Sequence, residues 1–381
     1  MTAPSKAGLR RLWLNVHLWI GTGLALLLVP ISLSGSLLVW HDHLDAMVGP
    51  GRYAATSGPA LPASALTKIA AEKTGSEFTP WVVRFPEGAG WPIVVSVREA
   101  RTERGVRPKI LSVYLDPPTG RVLDVVNFRA SLIGFLHRFH ENLTIPEYGG
   151  RAIVGWFGVG MLILSLTGIY LWWPRSGGFL LGLRWRRGPT LPLNLHHLFG
   201  FWIAIPLAVV SATGIYLGFS QQARDLLSSV APMTPQQRGG FNVPLLRPVN
   251  LTMDAALDAA IKAEPGSQPA AIFAPTQQNN AWRVQLRSPN TAGVTTVLVD
   301  DRTGAASKSA QLSGDRIALW IRWIHEGSHS GTIWQVIVFL CGLLPTLFTI
   351  TGIMIWLRSR RIRRSPAGDR ARGLPQLDAA E

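Results

Sequence analysis

Four stretches of the chain are almost free of charged side chains: Leu12 to Trp40, Ala152 to Trp173, Leu195 to Phe219 and Thr332 to Leu357. Each is long enough to cross a hydrocarbon core of ~30 Å as a helix. Between the first and second stretches, and again between the third and fourth, the pattern changes. SALTKIAAEKTG and TMDAALDAAIKAEPG have helical periodicity, whereas TPWVVRFPE, WPIVVSVRE, ILSVYLDP, AAIFAP, AWRVQLRS and TTVLVDD alternate or run apolar like strands. D-P-P-T-G and D-D-R-T-G mark turns. The pattern predicts a mainly α membrane protein, a four-transmembrane-helix bundle carrying two small external α+β modules.

The boundaries follow from these elements. Residues 1–41 hold the first span and 42–130 the first module, and 131–174 an interfacial helix with the second span. A basic loop covers 175–194, the third span 195–219, and the second module 220–313. An interfacial helix with the fourth span (314–358) and a tail (359–381) complete the chain.

The second half echoes the first. LNVHLWIG (14–21) matches LNLHHLFG (193–200), and Gly35 follows His17 at the spacing at which Gly214 follows His196. His140-Glu141 precedes the second span as His325-Glu326 precedes the fourth, and Thr167-Gly168-Ile169 matches Thr351-Gly352-Ile353. SVYLDPPTGRVLDV (112–125) resembles TVLVDDRTGAASKS (296–309), which sets Asp116 and Gly120 against Asp300 and Gly304. Each unit is helix, module, helix. Repeats crossing in one direction are related by an axis along the membrane normal, so the expected bundle has an internal pseudo-twofold duplication.

Charge decides orientation. Of a net charge of +15, much sits in two places: Arg175, Arg184, Arg186 and Arg187 after the second span, and Arg358, Arg360, Arg361, Arg363 and Arg364 after the fourth. By the positive-inside rule both termini face the cytoplasm and both modules lie outside, in the periplasm of a bacterial cell with a multi-pass inner-membrane protein. Lys6, Arg10 and Arg11 ahead of the first span are also signal-peptide features. Its apolar run is about twice a usual h-region, so it is expected to stay as a span. The basic residues thus report membrane topology and contact with lipid, and no accompanying motif points to nucleic acid. The single cysteine, Cys341, excludes a disulfide framework, a thiolate cluster and covalent haem attachment.

Nine histidines remain to be explained. His17, His196 and His197 fall at one set of span ends, and His41, His43, His137, His140, His325 and His329 at the other. A lone interfacial histidine is ordinarily an amphipathic cap. The duplicated ones differ, because a pseudo-twofold axis sets His17 opposite His196 and His140 opposite His325. Two opposed imidazoles are what a six-coordinate haem iron takes from a helical bundle. His137 and His140 share a helical face, as do His325 and His329, and the insertion TIPEYGG leaves either His137 or His140 as the ligand in the first half. Arg138, Arg151 and Arg322 are placed either to bind propionates or to serve as interfacial arginines. Asn15 and Asn194 either orient the histidines or cap the spans. Ten glycines in or beside the spans (Gly21, Gly23, Gly35, Gly155, Gly158, Gly160, Gly168, Gly200, Gly214 and Gly352) make room for a macrocycle or for close helix packing.

LNVHLWIGTG, FLHRF, TGIYLWWPR, LNLHHLFG, WIHEG and TGIMIW, in this order over about residues 9–360, resemble the PepSY-associated transmembrane proteins, the iron-regulated membrane proteins. Within them the chain looks most like the FoxB-type ferrisiderophore reductases. That resemblance implies a haem protein with PepSY-like outer modules that reduces a ferric siderophore on the periplasmic side; the two histidine pairs and the absence of a covalent attachment motif predict two b-type haems per chain. The resemblance maps the LHR histidine onto His137 and the histidine before the last span onto His325. Reduction weakens a hard-oxygen siderophore's hold on iron, so one electron releases it. No G-x-G-x-x-G follows a strand, hence quinol or a separate cytoplasmic reductase is the expected donor. The rival expectation is a non-redox PepSY membrane protein that binds a protease or assembly partner; a transporter has less support, since no span is discontinuous. Trp81, Trp91 and Trp282 are candidate siderophore contacts or core residues of the modules.

Overall fold

The computed structural model describes residues 6–88, 90–99, 108–174, 179–186, 188–235, 243–288 and 293–364. Arg175 and Arg187 of the basic loop, and residues 365–381 of the tail, lie outside them. The chain divides into two compact units: residues 1–39, 137–225 and 320–381 form one, and residues 40–136 and 226–319 the other.

Four long apolar helices make the first unit: α1 (Lys6–Val39), α5 (Gly150–Trp172), α7 (Leu191–Gly218) and α11 (Gly331–Arg364). All four have the length and composition of membrane spans. Each packs on two others, α1 on α5 and α11, and α7 on the same two, which closes a four-helix ring. Small residues set the approach. A Cβ on Gly218 would sit 2.8 Å from Gly155 Cα, and one on Gly342 would sit 2.6 Å from the Ser32 carbonyl, while Ser36 Oγ donates to the Phe339 carbonyl at 2.6 Å. Such faces let backbones touch where lipid offers no hydrophobic drive between helices. Two shorter amphipathic helices, α4 (Leu132–Asn142) and α10 (Ser313–Glu326), precede α5 and α11. They stand where the sequence predicts a helix ahead of the second and of the fourth long apolar helix.

The second unit departs from expectation. In place of two separate modules it contains one antiparallel sheet of eight strands, ordered β4-β3-β2-β1-β5-β6-β7-β8. The first half supplies β1 (Phe78–Arg84), β2 (Ile93–Glu99), β3 (Ile110–Leu115) and β4 (Val122–Asn127). The second supplies β5 (Gln268–Phe273), β6 (Ala281–Arg287), β7 (Val294–Asp300) and β8 (Ala306–Lys308). Six of these were legible as apolar runs; β4 and β8, short returns after the two turns, were not. The halves meet through β1 and β5, with Val82 opposite Phe273, Val83 opposite Ile272 and Arg84 opposite Ala271. That junction covers edges that two modules would each leave open. Helices α3 (Ala63–Thr74) and α9 (Met253–Ala263) pack on the sheet and on each other. One apolar core runs through both halves: Leu66, Val83, Val95 and Val113 join Ala256, Ile272, Val284 and Val297, all with no accessible surface. Trp282 belongs to this core, while Trp91 stays 40% exposed.

The two turns after β3 and β7 are alike in backbone, with Gly120 N–H donating to the Asp116 carbonyl and Gly304 N–H to that of Asp300. The buried carboxylates differ from the sequence match. Asp116 is buried and accepts from the Thr56 amide and hydroxyl and from Thr119, but its counterpart in role is Asp301, not Asp300. Asp301 accepts from the Asn250 and Leu251 amides, the Asn250 side chain and Trp282 Nε1. Burial works to raise its pKa, yet these donors outweigh it and hold the carboxylate below the ordinary range. Such a group stabilises the fold above its unfolded pKa of ~3.9, and the contribution is lost as pH falls through the lower folded value. Asp301→Asn turns an amide toward the same donors, so we expect a loss of about 1–3 kcal/mol at neutral pH. Denaturant unfolding followed by tryptophan fluorescence checks this, with the gap to wild type closing in acid.

Candidate functional site

Polar side chains within the helical unit need partners, because lipid provides none. Four histidines meet that demand in matching ways. His17 on α1 faces His196 on α7, with ring centres 6.4 Å apart. His140 on α4 faces His325 on α10 at 6.3 Å. His17 Nδ1 bonds Thr167 Oγ1 of α5 at 2.8 Å, and His196 Nδ1 bonds Thr351 Oγ1 of α11 at 2.9 Å. His140 Nδ1 bonds the Ile31 carbonyl of α1 at 2.9 Å, and His325 Nδ1 bonds the Val210 carbonyl of α7 at 3.0 Å. Fourteen residues separate His17 from Ile31 and His196 from Val210; at a rise of ~1.5 Å per residue the two pairs are about 21 Å apart along the helices.

These contacts select a tautomer. A carbonyl only accepts, so His140 and His325 carry their proton on Nδ1. Thr167 Oγ1 gives its own proton to the Ile163 carbonyl at 2.7 Å and Thr351 Oγ1 to that of Leu347 at 2.7 Å, so each hydroxyl accepts from its histidine. All four rings are then Nδ1–H imidazoles whose Nε2 lone pair is left for another partner. Burial pushes the His140 imidazole below its usual range; burial and the neighbouring His140 push His325 down to about 4, against the opposing pull of the Val210 carbonyl. Both are neutral at neutral pH, the form that binds a metal.

Glycines make the room. A Cβ on Gly35 would lie 2.6 Å from His140 Cε1 and one on Gly214 2.9 Å from His325 Cε1, whereas a Cβ on Gly168 or Gly352 would lie 3.6 Å from Cε1 of His17 or His196. Gly155, Gly158 and Gly160 instead meet neighbouring helices, and Gly23 and Gly200 have nothing within 4 Å. Gly35 and Gly214 thus lie against histidine rings, and Gly155, Gly158 and Gly160 against neighbouring helices.

The other candidates go elsewhere. His137 lies 3.8 Å from Glu141 with its side chain 37% exposed, and His329 stacks on Trp323 at 4.5 Å. Neither faces another histidine within the pairs described. Arg151 is engaged by Glu141 and Arg322 by Glu326. Arg138 differs: its Nη1 is buried and finds no hydrogen-bond partner among the described residues. Asn194 holds the loop before α7 by a reciprocal pair of bonds with Gly188, and Asn15 is exposed. The orienting side chains are Thr167 and Thr351, which the sequence displayed only as marks of the repeat. Their recurrence beside a glycine was the available signal.

Among the described residues no group of three or more His, Cys, Asp or Glu side chains could hold a metal ion unaided. The family described as the PepSY-associated TM region matches residues 14–359. The chain belongs to that family. It is a membrane protein of the PepSY-associated type, with four apolar helices and an antiparallel sheet unit. A comparison with curated proteins gives no match.

Gly35→Ala is expected to displace His140 and destabilise the bundle by about 1–3 kcal/mol, while Gly168→Ala, with ordinary van der Waals distance available, is expected to be close to neutral. Thermal unfolding of the two variants in detergent checks the contrast.

Proposed function

We propose that this chain is an internally duplicated haem b reductase of the bacterial inner membrane. In this reading it passes electrons across the bilayer to a ferric siderophore in the periplasm and releases Fe(II) for uptake. The observation that carries the reading is the pair of facing, Nδ1-committed imidazole sets at two levels of one bundle. An imidazole nitrogen bonds a metal at ~2.0–2.1 Å, so an iron would fit between two facing rings whose centres lie about 6 Å apart. The observed separations are 6.4 and 6.3 Å. A pair supplies two ligands, which suits a cofactor bringing its own four nitrogens and does not suit a bare ion.

His17 with His196, and His140 with His325, would hold the two haems. The resemblance favoured His137, but its contact with Glu141 leaves His140 as the residue opposite His325. Arg138, with a buried N–H lacking an acceptor, is the proposed propionate partner. Bound haem supplies a one-electron iron couple. The chain's own residues hold the rings, set their tautomer and keep water from the interior. For balance, a quinol donor becomes quinone, loses two protons and delivers two electrons, enough to reduce two ferric siderophore complexes to Fe(II); a separate cytoplasmic reductase would deliver the same electrons. The basic residues after α5 and on α11 support cytoplasmic termini and, with them, a periplasmic sheet unit made of two joined PepSY-like halves.

Purified protein is expected to carry two non-covalent haems b per chain by pyridine haemochrome assay. His17→Ala or His196→Ala removes one, His140→Ala or His325→Ala the other, and His137→Ala neither. Protein without haem would end this reading and leave the non-redox PepSY binding protein in its place. Dithionite-reduced protein should be reoxidised by a ferric siderophore, with Fe(II) captured by a ferrous chelator. A reduced spectrum that siderophores leave unchanged, while another acceptor restores the oxidised form, would remove the siderophore from the assignment.

A further inference from the structure

We infer that Thr167 and Thr351 are positioning residues for the histidine pair at the His17 end of the bundle, fixing both rings as Nε2 ligands and tuning the couple bound between them. The inference rests on the haem reading above. Its basis is a difference between the two pairs that the repeat alone hides. At the His140 end, Nδ1 of each ring has a main-chain carbonyl, Ile31 at 2.9 Å and Val210 at 3.0 Å, with the Ser34 and Thr213 hydroxyls farther off at 3.4 and 3.2 Å. At the His17 end, the Nδ1 acceptors are threonine hydroxyls contributed by α5 and α11. The hydroxyls are not free to turn. Each has spent its proton on a carbonyl of its own helix at 2.7 Å and can only accept. A ring that rotated to offer Nε2 to such an oxygen would present Nδ1 to the gap and lose the geometry shared with its partner.

A hydrogen-bond acceptor behind a ligating imidazole also raises its basicity, which favours the oxidised metal. Removing the acceptor therefore weakens binding and raises the potential. At His196 the described contacts include Thr351 Oγ1 and the rings of His17 and Phe348, the latter edge-on at 5.3 Å.

The test uses the full chain in detergent, with haem titrated into apoprotein and the two midpoint potentials resolved by spectroelectrochemistry. Thr351→Val is expected to weaken haem at the His17/His196 site about 10- to 100-fold and to shift that site's potential upward. The His140/His325 site is expected to keep its wild-type values and serves as the internal control. Thr351→Ser, which keeps the hydroxyl, should restore both quantities, and Thr167→Val should shift both in the same direction as Thr351→Val. Wild-type affinity and potential in Thr351→Val, with haem still lost from that site in His196→Ala, would overturn the positioning role and leave the haem reading intact. Failure of Thr351→Ser to restore the site, or loss of both haems in Thr351→Val, would also count against it, because either marks a packing defect. Wild-type protein that takes up no haem would sink both readings.

Discussion

An imidazole held among apolar helices must place its N–H on an acceptor, and in this protein that requirement organises the bundle. Four rings meet it on Nδ1, twice with threonine hydroxyls and twice with helix carbonyls. Each such bond crosses between elements distant in sequence: α1 to α5, α7 to α11, α4 to α1 and α10 to α7. The histidines are therefore ties of the helical ring as well as its chemical groups. Breaking one would leave a polar atom unpaired where no water replaces the partner.

Close packing and the histidine ties depend on each other. Gly35 and Gly214 allow the rings of His140 and His325 to lie against the helix backbones whose carbonyls they need. Ser36, Gly342, Gly155 and Gly218 bring the same helices near enough for side chains to span the interior. Small residues thus serve two ends here, helix contact and ring accommodation, and the distance to the nearest foreign atom separates them. The proposed redox role uses this rigidity: a ligand whose tautomer and orientation are set before a cofactor binds has little ordering left to lose.

The sheet unit follows a different constraint. Four strands from one half of the chain would end in an exposed β1 edge, and four from the other in an exposed β5 edge. Pairing these edges gives one sheet with one core, in which Val83 and Ile272 are neighbours although they are far apart in sequence. The buried carboxylates Asp116 and Asp301 then pin the segments that precede α3 and α9 to the turns at the far side of each half.

Sequence alone determined the four spans, because a run of apolar residues long enough to cross a bilayer is a local property. It also determined six of eight strands and both sheet helices, whose periodicities are equally local, and it named the histidines that face one another through the repeat. Tertiary structure decided what no local pattern contains. Whether His137 or His140 turns toward His325 depends on the angle at which α4 meets α1, and on Glu141 being at hand to engage the alternative. That the modules share a sheet depends on pairing between two edges, and an edge has no signature in the side chains that flank it. The tautomer of each ring depends on which oxygen the opposite helix presents, a matter of a few tenths of an ångström settled only when the helices pack.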